Sequence, residues 1–287
     1  MRAALALTVA LLATGCASRG PVSLPPQQQP PPCALCQEAP DSPRIAAAYR
    51  AALDAASRPE ANDIAHDLTP ILPETPGLVW NDDGKVLMST WTQARYYEAP
   101  EGTDSTAPFA LAVDVWLTPA PAVRTTCQKW GLSGSDLVMR LEQRIGLPPA
   151  NGKDAFVELW IDPEDLFRPC LDQEITDTAC EIEVPIDQRA HDAPPWNCDT
   201  ADSDTADSGD ATPDSRVNPN HRRWLCENWA GSFGNPELFD NYPWTALGFT
   251  YDWGDPQSSR GFSEFVAAVG TEAVLHDIIP TAEYCLP

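Results

Sequence analysis

Ser232 stands in Ala230-Gly231-Ser232-Phe233-Gly234, the A-x-S-x-G spacing that lets a serine hydroxyl project from a tight turn. Asp252 or Asp255, and then His276, follow it in the chain. Serine, then acid, then histidine is an order used for nucleophilic hydrolysis: the histidine takes the serine proton and the acid orients the imidazole. The local context argues against that chemistry. A nucleophile elbow needs a buried strand before the serine and a helix after it, whereas Cys226-Glu227-Asn228-Trp229 precedes Ser232 and Asn235-Pro236 follows it. A serine in a plain Gly-rich loop is the simpler expectation, and a serine hydrolase using Ser232, Asp252 and His276 stays as the enzymatic alternative. The histidines, at 66, 191, 221 and 276, are far apart in sequence, and no HExxH, GxGxxG or P-loop occurs, so no cofactor is expected.

The acidic stretch DTADSDTADSGD, residues 199–210, is the second place where side chains could act together. Asp199, Asp202, Asp204, Asp207 and Asp210 offer enough oxygens for calcium. An EF-hand loop requires acids at its first, third and fifth positions, a glycine at the sixth and a glutamate at the twelfth. A frame starting at Asp202 has Ala206 at the fifth position, and one starting at Asp204 has Ala206 at the third. Neither fits, so residues 199–214 are expected to be a solvated, self-repelling insertion rather than a metal site.

Nine cysteines are the third candidate set. Cys16 closes a segment with a single early charge, Arg2, then an apolar run from Ala3 to Ala13, then Ala13-Thr14-Gly15-Cys16. The run is too short to span a bilayer and has the form of a secretory signal. The small-residue-plus-cysteine end resembles the lipobox of bacterial lipoproteins. The resemblance implies cleavage of residues 1–15, lipidation of Cys16 and an envelope location, with Ala17 after the cysteine favouring the outer membrane. Two or more acyl chains would anchor the chain stably. Cys33 and Cys36 form a lone CxxC with no strand before it and no second ligand pair, which fits a local disulfide or a cross-link better than redox or zinc chemistry. In the remainder, Cys170 and Cys180 bracket a short loop, and Cys198 and Cys226 flank the acidic insertion, so both pairs are expected to bridge. The rival pairing joins Cys226 to Cys127 or Cys285.

The formal charge is −24 and no basic cluster offsets it, which excludes nucleic acid and disfavours direct contact with anionic lipid. Membrane contact is therefore expected through the lipid alone. The Pro/Gln-rich residues 16–41 cannot bury a core and are expected to form an extended tether.

The elements that must position these groups lie in residues 42–287. Ser42-Pro43 is a helix start, with Ile45, Tyr49, Leu53 and Ala56 on one face. Residues 78–92 read as a hairpin about Asp83-Gly84, and 109–118 as a strand with Leu111, Val113, Val115 and Leu117 on one side. Residues 135–145 read as a helix stopped by Gly146, then 155–161 and 245–253 as strands, and 263–279 as a hairpin about Gly270. The sum is one α+β domain: a predominantly antiparallel sheet with two or three helices. Ten tryptophans are many for this length. Trp116 and Trp160 face away from the aliphatic sides of their strands, where they could stack on glycan or fill a second core; the core is expected.

The segments RLEQRIGLPP, FVELWIDPEDLFRPC, YPWTALGFTYDWGDP and the closing EYC are similar to those of a group of exported bacterial proteins with no assigned activity. That likeness implies only a single exported bacterial domain, and no function carries over from it. The expected role is a lipid-anchored binding or structural module with an envelope protein or glycan as partner.

Overall fold

The computed structural model describes residues 33, 35–98, 107–183, 185–188, 193–198 and 220–286. Cys16 and the acids at 199, 202, 204, 207 and 210 lie outside them. The compact unit begins at Cys33, inside the stretch expected to be tether. Cys33 and Cys36 are bridged to each other, and Cys36 is buried with Ile45, Tyr49, Met139 and Trp253. The CxxC is thus a local clip at the edge of the core.

Helix α1, Pro43–Ala56, starts as its sequence dictates: the Ser42 hydroxyl accepts from the Ile45 N–H and proline fills the first turn. Before strand β1, Val86–Thr92, the Asn81 side chain accepts from the N–H groups of Asp83 and Lys85, and Gly84 takes φ 77°. The expected hairpin is there, although its first arm is only the bridge from Trp80 to Val86. Strands β2, Phe109–Ala110, and β3, Val115–Pro119, lead into helices α2, Ala120–Cys127, and α3, Gly134–Ile145. Helix α3 ends at Gly146 in the left-handed region, φ 77°, as the sequence predicted. Strands β4, Ala155–Ile161, and β5, Leu166–Phe167, precede helix α4, His221–Phe233. Strands β6, Phe249–Tyr251, β7, Arg260–Ser263, β8, Phe265–Ala267, and β9, Glu272–Pro280, and the short helix α5, Thr281–Tyr284, complete the chain.

Seven strands form one antiparallel sheet in the order β2-β9-β4-β1-β3-β8-β5, and β6 pairs with β7 separately. The fold is α+β, with five α-helices among the described residues rather than two or three. The sheet has to curl. Four residues separate β2 from β3, yet β9, β4 and β1 lie between them. In a flat sheet that offset would be about 19 Å at the usual strand spacing. Curling encloses Val86, Met88, Leu117, Val157, Leu159, Ile161 and Phe265 on the inner face. Trp91 and Phe156, stacked on the outer face, pack beneath α2, α3 and α5.

Three expected stretches differ, and of 245–253 only β6, Phe249–Tyr251, is strand. Residues 109–118 are not one strand: the chain bends between β2 and β3, and Val113, expected to face inward, is 65% exposed. The bend is held by Asp114, whose carboxylate accepts from the Val269 N–H at 2.8 Å and from Trp224 Nε1 at 2.6 Å. Residues 263–279 do turn at Gly270, but the arms are not mutual partners; β8 pairs with β3 and β5, and β9 with β4 and β2.

The remaining disulfides are Cys127–Cys285, Cys170–Cys180 and Cys198–Cys226. The two expected bridges form, and the rival pairing of Cys226 does not. Among the described residues no helix is long and apolar enough to cross a membrane.

Candidate binding cavity

Strands β1 and β3 are paired only at Met88–Pro119 and Ser89–Thr118. Beyond Ser89 they separate, because β1 continues along β4 while the start of β3 stays with β8. The gap opens into a cavity of about 650 Å³, within the 300–1,000 Å³ common for small-molecule sites. One wall is the strand pair, with Thr90, Trp116 and Thr118. The opposite wall is α4, which presents Glu227, Asn228, Gly231 and Ser232 from successive turns of one face, together with Tyr242 and Trp244. Lys153, Gly146, Leu147, Thr250 and Glu264 are among the other lining residues. Val113 and Tyr242, two large side chains left 65% and 44% exposed, also belong to this lining.

The tryptophan wall is braced by ring contacts. Trp116 meets Trp224 and Trp244 at ring separations of 5.7 and 5.6 Å, the second pair edge to face. Trp196, Trp229 and Leu225 pack behind them. The expected second core therefore exists, and Trp116 and Trp244 each contribute to both core and cavity. Trp160 takes no part; it packs edge-on against His276.

Two ionisable groups in the wall stand out. Glu264 lies between β7 and β8, 9% exposed, its backbone N–H donating to the Gly248 carbonyl. Burial alone pushes its carboxyl up to about 8, so at neutral pH it is mostly the uncharged acid. Burial also lowers the Lys153 ammonium from its usual value. Among the described residues no ion pair joins either group to another side chain.

The serine, acid and histidine singled out by sequence do not meet. Ser232 is on the cavity wall, in the last turn of α4 rather than in a Gly-rich loop. Asp252 is fully committed elsewhere: its two oxygens accept from Arg140 at 2.9 and 2.7 Å and from Arg144 at 3.0 Å. His276 is half exposed on β9, with Glu158 at 3.9 Å. Sequence reasoning missed Glu264, though a signal was present: an acid flanked two residues away on each side by Phe262 and Val266, both of which are buried. The acids Asp172, Asp177 and Glu181 group together near the Cys170–Cys180 bridge, exposed or half-exposed as surface acids commonly are.

Compared with protein-family models, with curated proteins and with solved structures, the chain matches none.

Proposed function

We propose that this is a lipid-anchored cell-envelope protein that binds a small molecule in the cavity between the β1–β3 gap and α4. The observation that carries the binding reading is the cavity: its size, its wall of packed tryptophans and the exposed Val113 and Tyr242 in its lining. Four disulfides support maturation in an oxidising compartment. The lipobox-like end at Cys16 supports the anchor, and the acidic balance supports membrane contact through lipid alone. The hydrolase alternative loses support, because Ser232 has neither Asp252 nor His276 beside it.

Two measurements test this reading. Mass spectrometry of the mature protein is expected to find acyl groups on Cys16, and Cys16→Ser to abolish them; an unmodified Cys16 overturns the anchor. Gly231 is exposed in the lining, and a Cβ there meets nothing within 4 Å. Gly231→Trp is therefore expected to obstruct the cavity without unfolding α4. If titration of small molecules changes the tryptophan fluorescence of wild type and variant alike, the cavity is not the binding site.

A further inference from the structure

We infer that the cavity's ligand is an uncharged, hydroxyl- or amide-bearing molecule of saccharide size, held by Glu264 and the Trp244 indole. The inference rests on the cavity being a binding site and adds the chemistry of what fills it.

Two residues of the lining each carry a fully buried polar atom with no hydrogen-bond partner: Trp244 Nε1 and Glu264 Oε2. Both side chains are more than nine-tenths buried, at 5% and 9% exposure. Buried polar groups left unpaired are rare and call for a partner. The indole N–H can only donate, so the ligand must present an acceptor. The other charged groups of the lining are Asp114, Lys153 and Glu227, and the ionisable phenols are Tyr97, Tyr242 and Tyr251. None is paired with Glu264, and Asp114 is already engaged by Trp224 and Val269. Left uncharged by its burial, Glu264 offers one O–H and one accepting oxygen. A hydroxyl or amide supplies a donor and an acceptor together and can satisfy both atoms. A simple cation brings no acceptor for Trp244, and an anion, though it could accept from both groups, would meet the carboxylates of Asp114 and Glu227 against the single ammonium of Lys153. A purely apolar molecule leaves both unpaired. The Trp and Tyr rings of the same lining suit a ring with C–H faces and a hydroxylated rim.

The test uses the full mature chain and three disaccharides: N,N′-diacetylchitobiose and maltose, which are neutral, and chitobiose, the cationic counterpart of the first. Binding is read by tryptophan fluorescence and calorimetry at pH 6. The neutral sugars are expected to bind at least tenfold more tightly than chitobiose. Glu264→Gln, which keeps a donor and an acceptor, is expected to bind within about threefold of wild type, and Glu264→Leu at least tenfold more weakly. Between pH 7 and 9 the wild type should lose affinity as the acid ionises, while Glu264→Gln stays flat. Melting curves confirm that each variant is folded; an unfolded Glu264→Leu leaves the Gln comparison and the pH profile to decide. Tighter binding of chitobiose, or loss of binding in Glu264→Gln, overturns the neutral-ligand inference and leaves the cavity reading intact. So does a cavity that takes the apolar dye Nile red, sensitive to Gly231→Trp, but none of the sugars. If no probe responds to Gly231→Trp, both fall.

Discussion

Asp252 and Glu264 are both buried acids, and the fold treats them in opposite ways. Asp252 is enclosed by two guanidinium groups and also accepts from the Gly254 N–H at 3.0 Å, so its charge is compensated on every side. Glu264 has no such partner, and its cost appears in how stability depends on pH. Its folded value of about 8 lies above the 4.5 of an unburied glutamate. Below pH 4.5 both states are protonated and the difference costs nothing. From 4.5 to 8 the unfolded chain gives up a proton that the folded chain retains, so stability falls as pH rises, then levels off above 8. The ceiling on this loss at pH 7 is about 3 kcal/mol. Glu264→Gln is therefore expected to melt higher than wild type at pH 8 and at the same temperature at pH 4. Equal melting at both pH values would mean that the carboxyl is solvated or paired in solution.

Helix α4 carries one wall of the cavity and is tied down at Cys226, whose partner Cys198 lies across the acidic insertion. Opening that bridge by Cys198→Ser with Cys226→Ser is expected to destabilise the protein by about 3–4 kcal/mol in the chain-entropy view. The amides of α4 should then exchange faster while those of β1 and β4 keep their protection. Uniform loss of protection would show instead that α4 unfolds only with the sheet. This helix was the element least legible in the sequence. Leu225, Trp229 and Phe233 do recur at helical spacing, but Asn228, Gly231 and Ser232 between them have weak helix propensity and imitate a loop. Helices α1 and α3 were legible because their ends are local events, a Ser-Pro start and a Gly stop. The break between β2 and β3 was not, since Asp114 reads only as an acid on a strand until Trp224 and Val269 arrive from distant parts of the chain. For the same reason the cavity was invisible: its walls come from β1, β3, α4 and the β7–β8 junction, and no stretch of sequence contains two of them.

At the scale of the whole molecule, the segment around Cys285 is fastened to helix α2, 158 residues before it. Cys285 bridges Cys127 across 158 residues, and the Tyr284 hydroxyl donates to the Ala120 carbonyl at 2.6 Å while its ring stacks on Phe156 at 4.0 Å. Closing a loop of that length confers about 5 kcal/mol in the same model, the largest share of the four bridges. Cys127→Ser with Cys285→Ser should therefore lower the denaturation midpoint more than removing Cys170–Cys180, whose loop is only ten residues; the reverse order would mean that α5 holds its place by packing alone. Strand β9 adds a consequence of timing. It sits between β2 and β4, inside the sheet, yet it is the last of the described strands in chain order. A nascent chain lacking residues 272–280 has β4 unpaired along one edge and the curl held open, so the core cannot close during synthesis. Ribosome-bound chains cut short before Glu272 should stay open to protease whatever their length, and protection should arrive abruptly as the final strand emerges. Delayed folding is thus written into the strand order of the sheet.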